Sequence, residues 1–374
     1  MKNASQKMTS MRYKLHLALL LVLCPFSIRA QLPEYTRQVV RSFAITKATT
    51  VEIANKYGKV QVVAWNKDSV KFVIDLRIRS KDETKMKRLK QSIDFEFTEG
   101  QSFLSAQTNL GESGSDVFKD IVDIAGSYLS SPNSVVINYT VMVPAGIPLK
   151  IDNKFGNVFV ENHTGSLNLV LSYGDFKCNR LMGKSQLKIS SGDADINYLR
   201  DGQVSISYGN LRVREAAKLI AETRSSNVNI DKASTLSLNS RRDKVFLGET
   251  GSLSGESYFS GINTTTLVTG LNFSCRYGDF SIDNIQTSFS SVSLSSEFTD
   301  LALGFEKPLA FDFELTHQQD VTFVYPKSMA VLKSRVLNAA DKIFITTGTF
   351  GQTNADARVL IKALRRCNLT LSYK

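Results

Sequence analysis

Phe155-Gly156-Asn157-Val158-Phe159-Val160 is followed eighteen residues later by Tyr173-Gly174-Asp175-Phe176-Lys177-Cys178. The same pattern, an aromatic residue, a glycine and then alternating apolar residues, stands at Tyr208-Gly209-Asn210-Leu211-Arg212-Val213 and at Tyr277-Gly278-Asp279-Phe280-Ser281-Ile282. It also stands near the start, at Tyr57-Gly58-Lys59-Val60-Gln61-Val62. Weaker copies fill the gaps: Ser191-Gly192-Asp193, Ser225-Ser226-Asn227, Arg242-Asp243-Lys244 and Phe259-Ser260-Gly261. The first residues fall at 155, 173, 191, 208, 225, 242, 259 and 277, a step of 17 or 18 throughout. A period this short and this regular marks a stacked repeat.

Each unit reads as two short strands and two turns. Leu167, Leu169, Leu171 and Tyr173 alternate before the glycine, and Phe176 and Cys178 after it, so one set faces inward and the other faces water. A unit of this size cannot bury its apolar face alone, but a stack of them can. The expected fold is all-β, a β-solenoid whose coils lie about 4.8 Å apart. Gly58, Gly156, Gly174, Gly192, Gly209 and Gly278 then form the turns, with Gly-Asp and Gly-Asn taking positive φ. Tyr57, Phe155, Tyr173, Tyr208, Phe259 and Tyr277 form an aromatic column, continuous in part. Arg242 occupies that aromatic slot, which is odd for a position read as inward. Cys178 and Cys275 fall in inward slots and act as small hydrophobes. Cys367 lies outside the register. With Cys24 in a removable leader, three cysteines remain, which give no disulfide framework and no CxxC spacing.

The leader is residues 1–30. Arg12 and Lys14 precede an apolar run, Leu15 to Leu23, which ends at Ser27-Ile28-Arg29-Ala30. This is the layout of a secretory signal peptide cleaved after Ala30. Met11 is an alternative start, because the signal is compact from there. Cys24 follows Leu23, where a lipid-attachment motif wants a small residue. The run is too short to span a bilayer, and no later stretch is long and apolar enough for a membrane helix. Losing Lys2, Lys7, Arg12, Lys14 and Arg29 takes the formal charge from +11 to +6, short of a nucleic-acid binder. An apolar content of 42% excludes a disordered chain. The expected location is exported, periplasmic or cell-surface-associated.

The flanks depart from the repeat. Residues 31–150 read as a β-rich section in which Val70 to Arg79 alternates well. Ser80-Lys81-Asp82-Glu83 is a capping box that starts a short helix running to about Lys90. Residues 111–133 interrupt the pattern, and Asp116 to Ala125 reads as an amphipathic helix. That helix covers the open end of the solenoid, or docks a partner or a membrane surface. Residues 151–300 are the regular coils. Residues 301–374 read as closing coils with a terminal strand, Leu369 to Tyr373, that shields the last edge.

The run from Ile137-Asn138-Tyr139 to Pro144, continued by Leu149-Lys150-Ile151-Asp152-Asn153-Lys154-Phe155-Gly156-Asn157-Val158, resembles the putative-adhesin domain-of-unknown-function family of exported bacterial proteins. Val51 to Val60 with Trp65 looks like the opening of that family. The resemblance covers the chain from about Val39 onward. It implies a β-helix-like fold and an exported location, and it supplies no catalytic residues.

The sequence is poor in chemistry. Beyond the leader only His163 and His317 remain to take a proton. His163, in Glu161-Asn162-His163-Thr164-Gly165, reads as a solvated turn residue rather than a base. There is no HExxH, no GxSxG and no phosphate loop. The turn acids Asp175 and Asp193 fall on adjacent coils, but the same slot carries Lys59, Asn157, Asn210 and Lys244, so a Ca²⁺ ladder does not propagate. No metal and no cofactor is expected.

The outward residue before the aromatic slot supplies the sharpest binding feature. It is Ser172, Ser190 and Ser207, then Arg224, Arg241, Tyr258 and Arg276. Those last four line up on consecutive coils as a basic ladder that suits an acidic glycan or a lipopolysaccharide phosphate. The plainer alternative is a solvated face neutralised by acids such as Glu222 and Glu256. The expectation is a non-catalytic binding or structural protein of the cell envelope, of adhesin type, with an acidic glycan or an envelope protein as partner and no nucleic acid. The alternatives are a polysaccharide-acting β-helix enzyme and a scaffold for an envelope complex.

Overall fold

Alternation along the strands sets the core. In Leu167–Ser172 the leucines at 167, 169 and 171 are buried while Asn168 and Val170 face out. Leu169 lies between Ile151 one coil before and Leu187 one coil after, in parallel register. The second half of each coil builds a matching inward row: Val158, Phe176, Ala194, Leu211, Val228 and Val245. The two rows share one core. Fully burying each such side chain contributes about 1.5–3 kcal/mol, available only when coils stack. The computed structural model describes residues 33–111, 134–308, 310–351 and 356–373. The signal peptide 1–30 and the helix at Asp116 to Ala125 lie outside the described residues.

The fold is all-β with one α-helix among the described residues. Strands Phe176–Ser190, Ala194–Ser207, Asn210–Arg224, Asn227–Arg241 and Lys244–Ile285 pair in parallel, each advancing the register by 17 or 18 residues. This coil-on-coil pairing is what the sequence period calls for.

At the N-terminal end the coil formed by Thr50–Lys56 and Val60–Trp65 is not outermost. Leu149–Lys154 and Val158–His163 stack on one side of it. Phe103–Asn109 and Ser134–Pro144 stack on the other. Farther out, Asp94–Glu99 pairs antiparallel with Phe103–Asn109, and Ser69–Arg79 lies antiparallel between Ser134–Pro144 and Glu34–Ala44. Helix α1, Glu83–Ser92, buries Leu89. Its N-cap is Asp82, whose side chain accepts from the Lys85 N–H at 3.0 Å. The cap is therefore two residues later than the capping box predicts. Ser80 instead bonds the Asp82 backbone, fixing the approach to the helix.

The C-terminal end also folds back on itself. Ala310–Gln318 and Thr322–Val324 form an outer coil. The antiparallel strands Ile343–Gly351 and Lys333–Asn338 extend it. The chain then returns, and Ala357–Ala363 with Asn368–Tyr373 fills the gap against Ser291–Phe305. The strand expected to shield the last edge thus lies inside the stack, between Ser291–Phe305 and Thr322–Val324. Its alternating Leu369 and Leu371, both buried, need a neighbour on each side.

Candidate functional site

The corner of each coil differs from the sequence reading, and the difference positions the site. Left-handed φ belongs to the residue before the glycine: Tyr57 63°, Phe155 60°, Tyr173 57°, Ser191 55°, Tyr208 58°, Ser225 50°, Arg242 60°, Phe259 55° and Tyr277 58°. Phe298, at 52°, adds a member the sequence period misses, because this coil is longer: Gly270 stands opposite Ser291 and Ile282 opposite Leu303, 21 residues on. The left-handed residue breaks the strand alternation and turns its side chain outward. From Tyr173 onward the aromatic slot is therefore a corner in solvent, with Tyr173 55%, Tyr208 59% and Phe259 57% exposed, whereas Tyr57 is buried and Phe155 partly buried. Arg242 is ordinary there, not odd. The rings stack in two groups: Tyr57, Phe155 and Tyr173 at 5.3 and 5.0 Å, and Phe259, Tyr277 and Phe298 at 4.8 and 5.2 Å. Tyr208 stands between them without a ring neighbour on Ser191 or Ser225.

The glycines answer a different need. A Cβ at Gly174 would lie 2.7 Å from the carbonyl carbon of Gly156, and one at Gly192 would lie 2.7 Å from that of Gly174. Gly58, Gly156 and Gly209 are equally close to the coil beneath. The requirement is close stacking of backbones; of the six predicted turn glycines only Gly278 also has left-handed φ, at +154°. The Asx residue that follows caps the next coil. Asn157 Oδ1 accepts from the Asp175 N–H at 2.9 Å, Asp175 Oδ1 from the Asp193 N–H at 3.1 Å, and Asp193 Oδ1 from the Asn210 N–H at 2.9 Å. Asp175 and Asp193 are thus engaged as backbone acceptors, and no metal-sized cluster of His, Cys, Asp or Glu occurs among the described residues.

Where serine or aspartate replaces glycine, the corner is rebuilt around Asp243. This carboxylate is 3% exposed. It accepts from Thr223 Oγ1 at 2.6 Å, Ser240 Oγ at 2.7 Å, the Ser226 N–H at 2.8 Å and the Arg241 N–H at 2.9 Å. Ser260 Oγ in turn accepts from the Asp243 N–H at 3.1 Å. Asp243 so ties down the strand ends that carry Arg224 and Arg241. The sequence signal for this network is a polar run in an inward slot, Thr223, Ser240 and Ser257, next to a corner without glycine.

Arg224, Arg241 and Tyr258 stand opposite one another on consecutive coils, preceded by Ser207. The Arg241 and Arg276 guanidinium carbons each lie 5.7 Å from the Tyr258 ring centre, so Tyr258 sits between two cations. Arg276 is ion-paired to Glu297 at 2.9 Å. Glu297 pairing holds the Arg276 guanidinium more firmly protonated than usual. Arg224 and Arg241 have no ion pair among the described residues. They line an open depression of about 340 Å³ with Ser205, Glu222, Asn239, Glu256 and Tyr258. Of the four ladder residues, three converge on this groove and Arg276 is held at its end.

The other candidates are core residues. His163 is 1% exposed, not a solvated turn residue, and its Nε2 has no hydrogen-bond partner among the described residues. Burial pulls its pKa below the usual histidine value. Its place in the strand Val158–His163, opposite Leu181, takes it into the core. His317 bonds the Gln318 carbonyl and Thr346 Oγ1. Cys178 and Cys275 are buried free thiols, pushed up to about 12 by burial. Cys367 is also buried and free.

No protein-family model matches the chain, and no curated protein does. Two solved structures are similar at low levels. One is a putative cell adhesion protein from Clostridium sporogenes, 7% identical, matched over 91% of this chain and 100% of that one with a TM-score of 0.22. The other is a putative adhesin from Bacteroides fragilis, 8% identical, matched over 90% of this chain and 97% of that one with a TM-score of 0.25. At these scores neither likeness bears on what this chain binds. No helix among the described residues is long and apolar enough to cross a membrane.

Proposed function

We propose that this is an exported, non-catalytic binding protein of the cell envelope, and that it takes an anionic group of an envelope glycan at Arg224 and Arg241. One observation carries the reading. Arg224 and Arg241 stand directly opposite one another on adjacent coils, with no carboxylate ion-paired to either among the described residues. Like charges at that spacing repel. The buried Asp243 network holds their strand ends in place despite this. Guanidinium forks match the geometry of carboxylate and phosphate. Export is supported by the leader-like residues 1–30. A non-catalytic role is supported by the buried, neutral environment of His163 and by the bonded ring of His317.

A glycan-array screen of the chain from Gln31 tests the reading, run beside the Arg224→Glu/Arg241→Glu variant. Selective retention of uronate- or phosphate-bearing glycans, lost in the variant, is the expected result. Retention unchanged by the double reversal defeats it.

A further inference from the structure

The groove that holds Arg224 and Arg241 carries a second row of charge. Glu222, Asn239 and Glu256 stand opposite one another on the same consecutive coils. Each lies two residues before Arg224, Arg241 and Tyr258 respectively, on the same outward face. Two residues along a strand span about 6.6 Å, and the next coil is about 4.8 Å away. Long side chains at that spacing can close an ion pair. Directly opposite side chains elsewhere on the stack do so, at Arg276–Glu297 and Lys232–Glu249, both 2.9 Å. In the groove they do not: among the described residues neither glutamate pairs with Arg224 or Arg241. Among the described residues Glu222 accepts only the Gln203 amide, at 3.2 Å. The glutamates therefore do not neutralise the ladder. The groove instead presents a column of acceptors beside a column of cations, closed at one end by the ring of Tyr258.

We propose that the groove selects a zwitterionic ligand, a phosphate with an ammonium group a few bonds away, as in phosphoethanolamine. This rests on the anion-binding reading above and extends it. The phosphate oxygens accept from Arg224 and Arg241. The ammonium, three donors and no acceptor, bonds Glu222, Glu256 and Asn239 Oδ1. An anion alone satisfies the arginines and leaves the glutamates beside its own charge, so it binds more weakly than the zwitterion. The same group occurs as a glycan substituent and as a lipid headgroup.

Titration calorimetry with phosphoethanolamine, its N-acetylated form and inorganic phosphate tests the proposal. The wild-type chain prefers phosphoethanolamine over the N-acetylated form by roughly tenfold. Glu222→Gln/Glu256→Gln removes the preference and keeps phosphate binding. Arg224→Glu/Arg241→Glu loses all three ligands. Equal affinity of the wild-type chain for the first two overturns the zwitterion inference and leaves the anion reading standing. Failure to bind any of the three overturns both. Flotation with phosphatidylethanolamine vesicles then separates the sources: co-flotation supports a lipid headgroup, and binding confined to the soluble group supports a glycan substituent.

Discussion

Replacing Gly174 by alanine isolates the close stacking of corners. The new Cβ would fall 2.7 Å from the carbonyl carbon and 3.2 Å from the nitrogen of Gly156. Comfortable separation of carbon atoms is about 3.5–4.0 Å. The two corners must therefore part by on the order of 1 Å, while the flanking pairs Phe176–Val158 and Leu171–Asn153 hold the coils together. Overpacking of this kind costs about 1–3 kcal/mol. Alanine also restricts the unfolded chain, which returns about 0.4–1 kcal/mol because Gly174 does not have left-handed φ. The net expectation is a loss of about 1–2 kcal/mol. Gly261→Ala is the control. The atoms nearest its Cβ would be the carboxylate oxygens of Asp279, at 3.1 and 3.2 Å, and that side chain can swing away. Its cost is expected within about 0.5 kcal/mol. Urea unfolding followed by circular dichroism reads both as shifts of midpoint at unchanged slope. Equal midpoints for wild type and Gly174→Ala, or an equal loss in Gly261→Ala, refute the stacking argument.

Three further outcomes follow from the corners and the core. Ser225→Val places a β-branched residue at a φ of 50° and is expected to lose about 1–2 kcal/mol, whereas Ser225→Asn, which tolerates that conformation, is expected near wild type in the same unfolding assay. Asp243→Ala leaves the Thr223 and Ser240 hydroxyls buried without their acceptor, for a loss on the order of 3 kcal/mol and faster amide exchange at Ser226 and Arg241. His163 has its pKa depressed by burial, so on acidification the unfolded chain takes up the proton first, near the ordinary histidine value of 6.5. Stability at this site therefore falls as pH drops below about 6.5 and is unaffected above it. His163→Leu is expected to flatten that part of a pH series of urea midpoints, and an unchanged slope would show that another group sets it.

The coil was legible in the sequence because period-two alternation and a fixed repeat both follow from one constraint, the burial of Leu167, Leu169 and Leu171 between the residues at the same positions of the neighbouring coils. The outward row Arg224, Arg241, Tyr258 was legible for the same reason, since register alone places it. The corner was not. Tyr173 and Gly174 are adjacent, and residue identity assigns left-handed φ to the glycine. Only the contact between Gly174 and Gly156 shows that glycine is needed there for proximity, which moves the left-handed residue one place earlier and the ring into solvent. The Asp243 network was hidden because Thr223, Ser226 and Ser260 lie a coil away in sequence and meet Asp243 only when the coils stack. His163 was misread for a related cause: its turn-like neighbours Asn162 and Thr164 outweigh the single pairing with Leu181 that carries it inside. The ends of the stack were hidden by topology, since nothing in Leu369 to Tyr373 tells that Thr322–Val324 has already been laid beyond it.

The central claim is that Arg224 and Arg241 bind an anion as a built pair and not as general surface charge. Calorimetry with one phosphate-bearing oligosaccharide on the wild type, Arg224→Glu/Arg241→Glu and Arg212→Glu/Arg214→Glu tests it most directly. The last variant makes the same change in net charge on exposed residues of the other half of the coil. Loss of binding in the first variant with wild-type affinity in the second is the predicted result. Equal weakening in both would contradict it.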